Sequence, residues 1–184
     1  AAAVTGKPIL LSTGMSYINE IDEAIRYIEQ NGNDRIGILQ CTALYPTPPK
    51  DVNLLAIETL RKVFSYTVGF SDHTKGICSA IASVALGAKI IEKHFTLDRS
   101  MKGSDHCFSS TPEELMQMVR SIREVELSMG SSIKRPVSDE ISFRDKLRRS
   151  IVAARNIEKG EILTEDKITT KRSNVKGLEP RYIE

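Results

Sequence analysis

Two histidines follow short apolar runs in the same way. Thr67-Val68-Gly69-Phe70 leads into Ser71-Asp72-His73-Thr74, and Lys89-Ile90-Ile91 leads into Glu92-Lys93-His94. In extended chain a period of two puts Gly69, Ser71 and His73 on one face of the first run, and Ile90, Glu92 and His94 on one face of the second. Neighbouring strands lie about 4.8 Å apart, so both imidazoles can point at a single ion if the two faces turn inward together. Two histidines are an incomplete ligand set, and two separate rings satisfied by backbone carbonyls is the competing reading of the spacing. Ser12 and Ser71 lie near Gly14 and Gly76 ahead of helical patterns, where hydroxyls and free backbone N–H groups make either an anion site or ordinary N-caps. Tyr45-Pro46-Thr47-Pro48-Pro49 is a stiff loop that either holds the Tyr45 hydroxyl over a cavity or merely connects two elements. Gly103-Ser104-Asp105-His106 reads as a polar turn whose Asp105 is a ligand-binding or a solvated carboxylate.

These residues need a scaffold, and the chain supplies a repeating one. Ile9-Leu10-Leu11, Ile36-Gly37-Ile38-Leu39, Thr67 to Phe70 and Lys89 to Ile91 are too short for helices, and polar residues follow each, as they do in buried parallel strands. Between them, Ile18, Ile21, Ile25 and Ile28 recur at helical spacing with Asn31-Gly32 as a stop; Asp51 to Phe64 and Gly76 to Leu86 give two further helices. Thr111-Pro112-Glu113-Glu114 is an N-cap, a proline at the first helical position and a capping-box glutamate, opening a helix that runs to Gly130. The spacing predicts four βα units with right-handed parallel crossovers, in which ligands bind where the strand C-termini and following loops converge. Four such units are either half of a barrel or one flank of an open sheet. A free half barrel exposes strand edges, so the chain reads as a fragment that lacks partner strands.

Beyond Gly130 the texture changes. Residues 131–147 lose periodicity and read as a linker. From 148 to 184, the segments Ser150-Ile151-Val152-Ala153, Asn156 to Glu161 and Ile168 to Arg172, with a Lys159-Gly160 turn, predict the start of a small β-rich module.

The 184 residues are 40% hydrophobic and 27% charged, which excludes a disordered chain, a coiled coil and a disulfide-stapled miniprotein. A net charge of +2 gives no sign of a nucleic-acid or membrane surface. No apolar run approaches the ~20 residues of a membrane span, and the N-terminus has no signal-peptide pattern. Cys41, Cys78 and Cys107 form neither a CxxC pair nor a disulfide framework, which fits a reducing cytoplasm.

At this point an ordered set of motifs becomes specific. Lys7 to Met15, Leu39-Gln40-Cys41-Thr42 with Tyr45 to Pro48, Gly69 to Thr74, Glu92 to Asp98 and Gly103 to His106 closely resemble the sialic acid synthase family. Residues 149–172 resemble the start of that family's C-terminal antifreeze-like (SAF) domain. The resemblance implies an α/β fold: the second half of a (β/α)₈ TIM barrel over residues 1–130, a linker over 131–147, and a truncated SAF domain over 148–184. The implied reaction is metal-dependent condensation of phosphoenolpyruvate with an N-acylmannosamine-type sugar, giving a nine-carbon 2-keto acid and phosphate. Legionaminic- or pseudaminic-type acceptors, or a non-catalytic carbohydrate-binding module, are the alternatives.

By the same resemblance His73 and His94 are ligands of Mn²⁺ or Mg²⁺, Ser12 and Ser71 contact phosphate, and Tyr45 and Asp105 line the sugar site. Arg172 would reach into the partner subunit of a domain-swapped homodimer. Ala43 stands where some members carry an amide, and Ser173 where the family often has proline. The first four strands, with an acidic residue and lysines, would lie upstream, so the chain alone is expected to be inactive.

Overall fold

The computed structural model describes residues 1–173 and 175–183, residue 145 by its backbone only. The chain divides into two compact units, residues 1–130 and 131–184. In the first, β1 (Ile9–Ser12), β2 (Ile36–Cys41), β3 (Thr67–Asp72) and β4 (Ile91–Lys93) form one parallel sheet in chain order. They alternate with α1 (Ile18–Gln30), α2 (Ala56–Val63) and α3 (Cys78–Ala85), and β4 is followed by α4 (Pro112–Met129).

The two middle strands are buried because both their faces are covered: every residue of β2 and every residue of β3 after Thr67 is buried, while β1 and β4 are partly exposed. On the helix-facing side Ile36, Ile38, Val68 and Phe70 pack with Ile21 and Ile25 of α1 and Ile57 and Leu60 of α2. Each such fully buried aliphatic side chain contributes about 1.5–3 kcal/mol relative to exposure. A second cluster joins Ala80 and Val84 of α3 to Met118 and Ile122 of α4. The opposite face carries Gly37, Leu39, Gly69, Ser71 and Glu92, and it points the strand ends at the candidate site.

Several boundaries differ from the sequence reading: α3 starts at Cys78 rather than Gly76, and β2 and β3 each run two residues further than expected. The helix expected over Asp51 to Phe64 begins only at Ala56, because Asn53 takes a positive φ of 51° that breaks the helical path. The strand expected at Lys89 to Ile91 is displaced to Ile91–Lys93, although the Lys89 N–H already bonds the Val68 carbonyl at 2.9 Å. The start of α4 is as expected: Thr111 Oγ1 accepts the Glu114 N–H at 3.4 Å while Glu114 Oε2 accepts the Thr111 N–H at 3.1 Å. Replacing this cap, Thr111→Ala, should cost about 1 kcal/mol, read as a lowered urea midpoint with an unchanged slope.

In the second unit the stretch read as a linker carries a helix, α5 (Ser138–Leu147). It has no apolar stripe to betray it. Its start is fixed locally, with the Val137 N–H donated to Glu140 Oε2 at 2.9 Å, while Ile141 and Phe143 stay exposed. β5 (Arg149–Ala153) and β6 (Ile168–Arg172) pair antiparallel. The Lys159-Gly160 turn forms where expected, with Gly160 at φ 95°, but the rest of 156–161 is not a strand. Ser150 Oγ accepts the Gly177 N–H at 3.2 Å, and the Ile151 N–H bonds the Leu178 carbonyl at 2.8 Å, so the tail after β6 is held along β5. Among the described residues, no helix is long and apolar enough to cross a membrane.

Candidate active site

The register of the sheet decides which side chains meet. β3 and β4 pair as Ser71 with Glu92 and Asp72 with Lys93, so His73 and His94 are each the first residue past the ladder. Both leave on the face opposite the helices. Their ring centroids lie 5.2 Å apart with the planes nearly perpendicular, at 86°.

Each histidine is held from two sides. The His73 carbonyl accepts the Thr47 N–H at 2.9 Å, and its Nδ1 lies 2.9 Å from the Thr42 carbonyl. A carbonyl oxygen only accepts, so Nδ1 carries the proton and Nε2 is the nitrogen with the lone pair in the neutral ring. The His94 carbonyl accepts the Ser110 N–H at 2.9 Å, and its Nδ1 lies 3.5 Å from Asp105 Oδ2. The His73 ring thus engages its Nδ1 with a protein oxygen, the arrangement by which metal-binding histidines are oriented, and the Asp105 carboxylate stands within ion-pair distance of the same nitrogen of His94.

Tyr45 covers the pair. Its ring lies 4.2 Å from that of His73 and 5.8 Å from that of His94, and the Tyr45–Pro46 peptide is cis. Phe108 closes the far side at 5.2 Å from His94 and 6.2 Å from Tyr45, itself 2% exposed. Nothing in its local sequence marks Phe108 for this place; it arrives there because the loop after β4 folds back. Thr96 Oγ1 meets His106 Nδ1 at 2.7 Å, and Ser109 Oγ donates to the Asp105 carbonyl at 2.7 Å. In the same loop the Ser100 N–H, donated at 2.7 Å, holds the Asp98 carboxyl below the usual carboxylate range.

Asp105 thereby stands beside His94 with its carboxylate half exposed, while Ser104 donates to its other oxygen at 2.8 Å. Ser71 is buried, and its hydroxyl donates to Glu92 Oε1 at 2.6 Å. Glu92 therefore belongs to this surface, as its shared face with His94 indicated. Ser12 is exposed at the end of β1, level with Leu39, two strands and one side-chain layer from Ser71. Strand spacing and rise separate the two serine Cα atoms by roughly 11 Å on a flat sheet, so they are not a preformed pair. Arg172 lies exposed on β6 of the second unit, opposite Arg149. Ser173 after it uses its hydroxyl to accept the Val175 N–H at 3.1 Å, a local substitute for the stiffness of a proline.

Among the described residues no group of three or more His, Cys, Asp or Glu side chains is disposed to hold a metal ion. The two histidines are still a fitting half-set. An ion about 2.1 Å from one nitrogen of each ring, at the angles common in coordination, places the ring centroids about 5 Å apart. Substrate oxygens and water would fill the other positions.

The comparisons agree with this architecture. The NeuB family matches residues 1–134, and the SAF domain matches residues 148–184. The N,N'-diacetyllegionaminic acid synthase of Campylobacter jejuni is 46% identical over 92% of this chain and 52% of its own length. The human N-acetylneuraminate-9-phosphate synthase is 41% identical over 98% of the chain and 50% of its own length. The crystal structure of the N-acetylneuraminic acid (sialic acid) synthetase of Leptospira borgpetersenii in complex with citrate superposes with a TM-score of 0.71 at 35% identity, covering 79% of this chain and 52% of that one. The chain thus spans about half the length of the curated relatives it matches. The chain belongs to the NeuB family and carries a SAF domain at its C-terminal end.

Proposed function

We propose that this chain is part of a nonulosonic acid synthase that joins phosphoenolpyruvate to an N-acylated hexosamine of the N-acylmannosamine type. The supporting observation is the meeting of His73 and His94 under Tyr45, with the His73 Nδ1 bonded to a carbonyl, Asp105 beside the His94 Nδ1 and a ring separation that suits one shared ion. In this reading the four strands are staves five to eight of a barrel, and the remaining staves complete the site.

The reaction balances as follows. C3 of the enol phosphate attacks the sugar aldehyde carbon and forms the new C–C bond, while the aldehyde oxygen takes a proton. Water adds at C2, and the C2–O bond to phosphate breaks to release inorganic phosphate and the 2-keto acid. A divalent ion, Mn²⁺ or Mg²⁺, held by His73 and His94 would supply Lewis-acid polarisation of the aldehyde.

The chain's own groups have distinct tasks. Asp105 orients the His94 ring and accepts hydrogen bonds from sugar hydroxyls through its exposed oxygen. Tyr45 leans over His73 with the ring planes 37° apart, shields that side and offers its hydroxyl to the sugar. Ser12 and Ser71 donate their hydroxyls to the phosphate, Ser71 once its O–H turns from Glu92 Oε1 to a phosphate oxygen. Arg172 donates its fixed fork of N–H groups to acyl and hydroxyl oxygens in the partner subunit of a domain-swapped homodimer. The three free thiols, Cys41, Cys78 and Cys107, suit a cytoplasmic enzyme. Ala43 brings no polar side chain to the sugar, so the acceptor's substituents decide between neuraminate-, legionaminate- and pseudaminate-type products.

The test is phosphate release by the complete protein that carries this chain, offered phosphoenolpyruvate and a panel of N-acylated hexosamines with and without Mn²⁺. Metal-dependent release matched by 2-keto acid is expected for one panel member. Release with none of them, or at an equal rate in excess chelator, overturns the reading.

A further inference from the structure

On the reverse side of the two histidines, facing the helices, lies a charged pair that the chemistry above does not use. Lys93 Nζ donates to Asp72 Oδ2 at 2.8 Å, with the two side chains 4% and 0% exposed. The same ammonium donates to the Thr74 carbonyl at 2.8 Å, and Asp72 Oδ1 accepts the Thr74 N–H at 2.8 Å. A buried ion pair is a poor source of stability, since desolvating both charges consumes most of the attraction, so its place needs another explanation.

Its position in the sheet supplies one. Asp72 and Lys93 are the last paired residues of β3 and β4, and no ladder bond ties the chain beyond them. His73 and His94 are the very next residues. Through Lys93 and Thr74 the pair spans the gap just past the ladder's end and fixes the β3 side on both flanks of His73, at Asp72 and at Thr74. Alternation puts these side chains on one face and the imidazoles on the other, so the tie sets strand spacing without touching the site.

We infer that Asp72 and Lys93 are positioning residues that hold the two imidazoles at the separation one divalent ion requires. The assignment rests on the metal-binding reading above. Conserving the pair's charge without its geometry does not suffice, because Lys93 reaches two acceptors at once from a single tetrahedral nitrogen, which a planar guanidinium does not reproduce.

The experiment uses the complete protein and the double variant Asp72→Asn/Lys93→Met, in which the new amide still accepts the Thr74 N–H and no charge is left buried alone. Two readouts are taken well below the unfolding temperature: Co²⁺ and Mn²⁺ affinity, and the imidazole ¹⁵N signals of the metal-free protein, which report the His73 tautomer. Expected are a ~10–100-fold loss of metal affinity and loss of the single Nδ1–H tautomer at His73. Lys93→Arg, which keeps the charge, should weaken binding in the same direction by a smaller factor, and it decides the matter if the double variant does not fold. Unchanged affinity together with an unchanged tautomer in a folded variant overturns the assignment. If the parent protein binds neither ion, the metal reading falls by itself, and the tautomer comparison alone decides whether the pair positions His73.

Discussion

His73→Ala in the complete protein should abolish metal-dependent phosphate release, by a factor of a thousand or more, and leave the fold in place. The two halves of that expectation come from different contacts. Removing the ring deletes one of the two imidazoles that this chain's described residues bring together for the ion, and a single imidazole from this half of the site is a weak, unselective ligand. Against the fold, the ring contributes one hydrogen bond to the Thr42 carbonyl and a stacking contact with Tyr45, together about 1–2 kcal/mol. The backbone bond from Thr47 to the His73 carbonyl is untouched. Near-native circular dichroism and thermal midpoint, with Co²⁺ no longer bound, are therefore the expected signature. Phosphate release at more than a tenth of the parent rate would show that the ring does not serve the reaction. Asp105→Asn separates orientation from ligation. Its amide still stands beside the His94 Nδ1 but without charge, so the loss should be smaller, about 10–100-fold in affinity or activity.

How much of this site was legible beforehand follows from the physics of each part. The shared face of Ser71 and His73, and of Glu92 and His94, is a matter of strand period and was read directly. The juxtaposition of the two faces needed only parallel pairing of β3 with β4, which the βα repeat supplies. The stiff loop marks Tyr45 in the sequence, but its contact with both histidines depends on a loop path that local sequence does not encode. Phe108 and the Ser71–Glu92 bond have no signal in the sequence, the first because it comes from a long irregular loop, the second because side-chain pairing across strands needs the register. Asp72 and Lys93 carry a signal visible in retrospect: two opposite charges, each immediately before a candidate ligand, in strands that must be neighbours. Helix α5 escaped because periodicity detects only helices that bury one side, and α5 leaves Ile141, Phe143 and Leu147 exposed.

Two glycines on the site-facing surface of the sheet lead to the other large effect. A Cβ on Gly69 would sit 2.5 Å from the Ile90 carbonyl oxygen, 2.7 Å from Ile90 Cβ and 2.6 Å from Leu39 Cδ2. The leucine tip can rotate away. The Ile90 carbonyl cannot, because it accepts the Phe70 N–H at 2.8 Å and so belongs to the β3–β4 connection itself. Gly69→Ala must therefore push β4 outward or fail to form it, and should cost about 3 kcal/mol, or about 10 °C in the midpoint of the first unit. Gly37→Ala is the control. Its Cβ would press only on side-chain tips, Leu10 Cδ2 at 2.8 Å and Ile90 Cδ1 at 3.1 Å, with the Thr67 carbonyl oxygen at an ordinary 3.8 Å, and Leu10 is 52% exposed with room to turn. The cost there should stay near 1 kcal/mol. The functional consequence separates the two further. A displaced β4 carries Glu92 and His94 with it, so Gly69→Ala should also weaken Co²⁺ binding at temperatures where the protein is still folded, whereas Gly37→Ala should leave it unchanged. Equal destabilisation by the two substitutions would mean that Ile90 yields as easily as a leucine tip, and that the spacing of the two strands is not set by close packing at Gly69.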